Sequence, residues 1–499
     1  MAVFGTPDNV EPVFVDSTNQ FEALANHSID VITKITTHTL SRGVYEQATQ
    51  QGYTFSVPYF YEGLVFGGIP SFVECADNVD FTGSCRDLTI CVAKSSTIYK
   101  AVKHLLPGST LVTGNNYEDL RILFEAGACN VVAGGPVVLS GVVGLGRDDS
   151  SLPTTTVLGR STFSREPVAV VTRQNDAEWS NLVNLVINVF FLAEAHDISK
   201  SNAYLLGPVL QMTQDPLLLS MMEAVVSDLG NYGDLYEKHL ENIVPRNGLN
   251  ELYDNFHDSS GLLYYMPFGV FDADGEDPMP NMTIARVQSR GHLLCGVNRT
   301  TETHHSEAVK SSLVDFDIEF CRAVAAALFA GIATNNTVKI VHLSSNQSTD
   351  PFSALAHGDV DVVAGARMTL QADYHEPTTG QGYTFSAPYY YDNANDTNCS
   401  ACALMTTEND PQWAAFVNWV VMAMFYAEDK GIGMNTSSSM PIVGVFGGGL
   451  KQMLLDCILA VGSYSEAYSR TMEMTIPRTG ANRLNEGLRG AQHYPIPYL

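Results

Sequence analysis

One twelve-residue stretch occurs twice in this chain and limits how it can fold. It reads Gln51-Gly-Tyr-Thr-Phe-Ser-Val-Pro-Tyr-Phe-Tyr-Glu62 and returns as Gln381-Gly-Tyr-Thr-Phe-Ser-Ala-Pro-Tyr-Tyr-Tyr-Asp392. Nine of the twelve positions are identical, and the others exchange Val for Ala, Phe for Tyr and Glu for Asp. Identity of that order at a separation of 330 residues marks a duplication, so the chain is two copies of one unit.

Further marks pair in the same order. Phe21-Glu-Ala-Leu-Ala-Asn26, a helical turn ahead of a strand at 29–32, matches Phe352-Ser-Ala-Leu-Ala-His357, with Asp361 in the place of Asp30. Trp179, Leu182, Val183, Val186, Ile187, Phe190 and Phe191 follow helical spacing behind a cap at Asp176. Trp413, Phe416, Val417, Val420, Val421, Met424 and Phe425 repeat that spacing behind Asp410, and both are packing helices. Residues 230–236 pair with 462–468, and Leu249-Asn-Glu251 with Leu484-Asn-Glu486. The offset is 330 from Gly52 to Gly382 but 234 from Trp179 to Trp413, so 96 residues are missing from the second copy between these marks. In the first copy that interval alternates apolar strands at 88–93, 111–113 and 128–133 with helices near 98–106 and 118–126, which reads as a second α/β lobe. Residues 11–15 read as a short strand, and the acidic, proline-containing residues 269–283 as a linker. Residues 1–5 match 327–331, the end of a helix, so the first copy is expected to begin inside an element, as a fragment or after loss of a first strand and helix.

Composition narrows the partners. Lys+Arg number 27 against 54 Asp+Glu, a formal net charge of -27 that repels nucleic acid phosphates and anionic membranes. No run of about 18 apolar residues is present, so no membrane insertion is expected. Residues 131–145 come closest but carry four Gly, a Pro and a Ser, and read as a short strand and loops. No signal peptide is seen at Met1. Asn-x-Ser/Thr sequons at Asn26, Asn281, Asn298, Asn335, Asn346, Asn395, Asn398 and Asn435 suit a secreted or luminal glycoprotein, and equally suit polar loops rich in Asn and Thr.

Residues 285–298 and 316–329, then 21–62, 88–92, 122–131, 164–179 and 230–236, resemble the general L-amino-acid-binding proteins of ABC transporters, which are family 3 solute-binding proteins. The resemblance implies an α/β, type II periplasmic-binding-protein-like fold with ligand held between two hinged lobes. It divides the chain into a two-lobed first copy at 1–268 (lobe 1 about 1–87 and 176–268, lobe 2 about 88–175), the linker, and a second copy at 284–499 lacking lobe 2. It implies disulfides Cys91 with Cys129 and Cys295 with Cys321, in keeping with an extracellular, periplasmic or luminal location. Cys75 with Cys85 is a further candidate pair, Cys399 and Cys402 are close neighbours, and Cys457 is left as a free thiol.

A free amino acid needs a cation and hydroxyl donors for its carboxylate and an anion for its ammonium. The family resemblance places the first set in the turn Thr36-Thr37-His38-Thr39-Leu40-Ser41-Arg42, with Arg42 gripping the carboxylate and Thr37 and Thr39 assisting. It places lobe 2 contacts at Ser95-Ser96-Thr97, so Ser96 and Thr97 join the candidate set. The family's ammonium-binding Asp falls at Gly135, which has no carboxylate, and an unpaired buried ammonium is costly. In the second copy Arg42 is replaced by Ala372. A composite site, with 284–330 completing the first copy, is conceivable. The pattern contains no Gly-x-Ser-x-Gly elbow, P-loop or His-Glu-x-x-His, and His304-His305 reads as a polar loop, so neither an enzyme, a metal nor a cofactor is expected. The expected function is capture of a small carboxylate-bearing solute, an amino acid above all, for transport or sensing, with an ABC permease or membrane receptor as partner. The alternative is a structural or adhesive extracellular glycoprotein built from binding domains that no longer bind.

Overall fold

In a computed structural model the chain is described over residues 9–46, 48–80, 82–144, 156–210, 216–246, 250, 282–297, 306–343, 350–368, 376, 379–392 and 400–483. It is an α/β protein with mixed sheets. In the N-terminal half, β1 (Tyr53–Phe55) and β2 (Phe60–Glu62) lead to β3 (Val65–Gly68), β4 (Thr89–Ala93), β5 (Thr110–Gly114), β6 (Val131–Gly134) and β7 (Val157–Leu158). These last five form one sheet in the order β5-β4-β6-β3-β7, with β4 parallel to β5 and β6, and β3 antiparallel to β6 and β7. The chain returns through β8 (Glu166–Val168) and β9 (Val171–Arg173), which pair antiparallel with β2 and β1.

These pairings correct the lobe boundary expected near 88 and 175. β3 and the helix Pro70–Asp77 already belong to the five-stranded lobe, while β8 and β9 lie with β1 and β2. The crossing points are therefore next to Glu62 and Glu166, which face each other in the β2–β8 register. Three other expectations also change. Residues 11–15 form no strand, and Val13 and Phe14 are exposed rather than packed on a sheet. Residues 131–145 contain a helix, Pro136–Val142, begun by a proline at its first position where the missing N–H costs nothing. The expected linker 269–283 lies mostly outside the described residues, and Met282 already opens the helix Met282–Arg290.

The C-terminal half is built on one sheet. Its strands are β10 (Leu293–Val297), β11 (Val338–His342), β12 (Val362–Arg367), β13 (Tyr383–Phe385), β14 (Tyr390–Asp392) and β15 (Ser400–Thr407), in the order β11-β10-β12-β15-β13, with β14 beside β15. β10 pairs with β11 and β12, so residues 284–297 complete the C-terminal sheet and not the N-terminal one.

The two halves repeat one hydrogen-bond pattern. Tyr53 Oη donates to Phe21 O at 2.9 Å, and Tyr383 Oη to Phe352 O at 2.9 Å. Asn184 Oδ1 accepts from Val57 N, as Asn418 Oδ1 does from Ala387 N. Tyr232 Oη donates to Tyr59 O and Tyr464 Oη to Tyr389 O. Asp176 and Asp410 cap their helices, Ala177–Ala195 and Pro411–Asp429, through Trp179 N and Trp413 N, each at 3.0 Å. One pairing shifts: Asn250 brackets Tyr61 by its amide as Asn482, not Asn485, brackets Tyr391. That register keeps the offset of the preceding Tyr232 and Tyr464.

Disulfides join Cys75 to Cys85, Cys91 to Cys129 and Cys295 to Cys321. Cys457 is a buried thiol, and burial pushes its ionisation up. Cys399 lies outside the described residues. No single described helix is long and apolar enough to cross a membrane.

Candidate functional site

The site is assembled where the chain crosses between the N-terminal lobes. Thr37 sits on the segment that bridges to Val168, and Arg42 lies in the short helix Leu40–Val44 that follows. β1 starts directly beneath that helix: a β-carbon on Gly52 would lie 2.6 Å from both Gly43 O and Val44 O, so only glycine fits there. From the other lobe come the loop and helix start at 95–97, with Ser96 capping Thr97–Leu105 by accepting from Tyr99 N at 3.0 Å. Thr37 Oγ1 and Thr97 Oγ1 meet at 3.3 Å across the cleft.

Between them lies a cavity of about 60 Å³, room for roughly four to six water-sized groups. Arg42, Thr37, Ser96 and Thr97 all line it, together with Gln20, Tyr117, Glu62 and Glu166. Thr39 does not. It is buried, and its Oγ1 accepts from Arg42 N at 3.3 Å, so it caps the helix that carries the arginine. His304 and His305 lie outside the described residues, as does Ala372.

Arg42 is sparsely used by its own protein. Nη1 donates to Thr37 O at 2.8 Å and the guanidinium lies 5.4 Å from the Phe21 ring, with no ion pair among the described residues. Burial works against its charge, opposed by the fields of Glu166, Glu46 and Tyr117. Its remaining donors are available to an anion in the cavity.

Sequence reading missed Glu62. A β-carbon added at Gly135 would coincide with the Glu62 carboxylate. The carboxylate absent from position 135 is thus supplied to the same space from the end of β2. Val137 N donates to it, while Glu62 Oε1 is buried with no hydrogen-bond partner. Burial raises its pKa to about 7, with the Val137 bond opposing and Glu166 adding repulsion. Glu166 is buried too; Ser164 Oγ donates to its Oε1 at 2.9 Å, and its Oε2 is unpartnered. A signal was present in the sequence: the repeat ends on an acid in both copies, directly after apolar strand residues. Tyr117 closes the cavity, its ionisation pushed up to about 12 by burial and by Glu62.

A half-buried arginine with free donors thus shares one small cavity with two carboxylate oxygens that lack partners. That is the charge pattern of a zwitterion's complement.

Comparison with known proteins finds relatives over about half of the chain. The chain is 25% identical over 293 residues to the general L-amino acid-binding periplasmic protein AapJ of Rhizobium johnstonii, covering 53% of this chain and 79% of that protein. It is likewise 25% identical over 293 residues to the glutamate/glutamine/aspartate/asparagine-binding protein BztA of Rhodobacter capsulatus, covering 54% and 80%. A solved ABC transporter periplasmic binding protein from Brucella ovis, with glutathione bound, shares 21% identity at a TM-score of 0.40, over 51% of this chain and 82% of that one. No family model matches the chain. Over about half its length, then, the chain's homologues are amino-acid-binding periplasmic proteins of ABC transporters.

Proposed function

We propose that the N-terminal half is a solute-binding unit of the type II periplasmic-binding kind that captures a compact amino acid for transport or sensing, outside the cytoplasm. Arg42 grips the carboxylate, helped by the hydroxyls of Thr37, Ser96 and Thr97, while Thr39 holds the arginine's helix in place. Glu62 receives the ammonium with Glu166 beside it. One observation carries this reading: the Glu62 carboxylate occupies the space left by Gly135, in an open cavity that Arg42, Thr37, Ser96 and Thr97 also line. The names of the amino-acid-binding homologues support it, and so do three disulfides, which suit an oxidising compartment. On this reading the chain has no catalytic role, and an ABC permease or a membrane receptor takes the closed form.

The C-terminal half fits the second reading, a degenerate copy kept for structure. β14 is followed after only seven residues by β15, which supports reading this copy as one without a second lobe or a cleft of the same kind. Asn26, Asn335 and Asn435, the described sequon positions, are all exposed, which favours glycan attachment.

Calorimetric titration with glycine, alanine and larger amino acids, each beside the matching amine and carboxylic acid, tests the proposal. The expected result is one site per chain that requires both charged groups on the ligand. Folded protein giving no heat with any amino acid would overturn it.

A further inference from the structure

The helix Pro411–Asp429 of the C-terminal half touches the N-terminal site region. Gln412 and Trp419 stand two turns apart on the same face of Pro411–Asp429. Gln412 Nε2 donates to Val44 O at 2.8 Å, a carbonyl at the end of the short helix that carries Arg42, where helix carbonyls lack partners of their own. Trp419 meets His38 in a T-shaped contact at 6.0 Å, and that imidazole is also stacked on Phe55 at 4.3 Å. His38 is the residue between Thr37, in the cavity, and Thr39, the cap on Arg42. At the helix's far end Asp429 pairs with Arg165 at 3.2 Å, next to Glu166. Each contact therefore falls within two residues of a group that lines the cavity, and no described residue of the C-terminal half lines the cavity itself. Gln412 has no counterpart in the N-terminal copy, where the matching position is Glu178.

We infer that the helix Pro411–Asp429 positions the carboxylate-binding turn 37–42, with Gln412 and Trp419 as positioning residues. The second copy is thus a splint for the ligand site of the first, a role that explains retention of a half with no cleft of its own. The inference rests on the amino-acid reading of the cavity for its effect on binding, but the positioning itself can be measured without ligand.

Two readouts on the full chain test it. Gln412→Ala removes one hydrogen bond and leaves the core intact. Hydrogen–deuterium exchange should quicken over residues 38–46 in this variant and stay unchanged in the five-stranded lobe. Affinity for an amino acid should fall roughly three- to tenfold, the worth of one hydrogen bond, while affinity for the corresponding amino-acid amide, which cannot pair ionically with Arg42, falls much less. Trp419→Ala should exceed both effects and Trp419→Phe should restore most of the loss. Simple destabilisation would lower acid and amide binding alike. If the wild-type chain binds no amino acid, the amino-acid reading fails and exchange alone decides the splint. Unchanged exchange over 38–46 in both Gln412→Ala and Trp419→Ala would overturn it.

Discussion

Asp30 and Asp361 hold the same place in the two halves but live in different surroundings. The Asp361 side chain is fully buried, held by Arg286, Arg290 and Leu294 N, whereas Asp30 is 78% exposed with Arg173 at 3.2 Å. Each aspartate's carbonyl accepts the indole N–H of the matching tryptophan, yet Trp413 is buried and Trp179 only half-buried. The same holds along the two long helices: Phe416, Val417, Val420 and Val421 are buried where Leu182, Val183, Val186 and Ile187 are half-exposed. What separates the halves is cover. Residues 282–328 supply the C-terminal half with a strand and two helices that have no counterpart among the described residues of the N-terminal half. A shared motif fixes local hydrogen bonds; the depth of burial, and with it most of the energy, comes from what packs over them.

The largest test of that contrast is the aspartate pair. Asp361→Ala leaves two arginines and the Leu294 amide without their acceptor and should cost about 3–5 kcal/mol. Asp30→Ala removes an exposed carboxylate and leaves the buried Arg173 its bonds to Leu24 O and Ile29 O, so it should cost at most about 1 kcal/mol. Urea unfolding of both variants measures the difference, and equal costs would mean the halves are equally packed.

Next comes function, expected in the N-terminal half alone. Arg42→Ala should weaken amino-acid binding about 100-fold or more, the loss of a charge-assisted pair of hydrogen bonds. Wild-type titration should show one site per chain, because the C-terminal turn carries Ala372 where the arginine would stand. A second site of similar affinity would erase the distinction between the halves.

Glu62 sharpens it through pH. Its carboxyl ionises at about 7 in the fold but in the ordinary carboxylate range when unfolded, because burial disfavours the charge. Between those two values the folded protein holds a proton that the unfolded chain has released. Its contribution is fully present at pH 4 and is lost as pH rises through 7, a change on the order of 3 kcal/mol. Glu62→Gln should flatten that part of the stability–pH curve. An arriving ammonium favours the ionised form, so binding near pH 7 should release a proton, read as a dependence of the calorimetric heat on buffer.

Much of this was legible in sequence because it is local or repeated. The helix caps at Asp176 and Asp410, the three disulfide pairs, and the gathering of Thr37, Arg42, Ser96 and Thr97 all follow from spacing or from family likeness. Glu62 was hidden for a physical reason. It reaches the space of Gly135 from a strand more than seventy residues earlier in the chain, and only tertiary packing shows one side chain standing in for another. The same limit concealed the contact of Gln412, whose partner Val44 lies in the other half.

The smallest contrast is the subtlest. Tyr59 and Tyr389 occupy matched places in the twelve-residue repeat, and both carbonyls receive the hydroxyl of a later tyrosine. Tyr389 is fully buried; its hydroxyl donates to Asp317 Oδ1 at 2.7 Å, accepts from Gly365 N at 2.6 Å, and its ring stacks on Phe320 at 3.8 Å. Asp317 and Phe320 belong to the helix Glu307–Leu328, part of the cover that the N-terminal half lacks. Tyr59 is half-buried, and its hydroxyl has no hydrogen-bond partner among the described residues. Tyr389→Phe strips the Gly365 amide of its acceptor in a dry core and should cost about 1–3 kcal/mol. Tyr59→Phe should change stability by less than about 0.5 kcal/mol. Thermal unfolding of the two variants reads the gap. A gap near zero would mean that the hydroxyl at this position matters no more under the cover than without it.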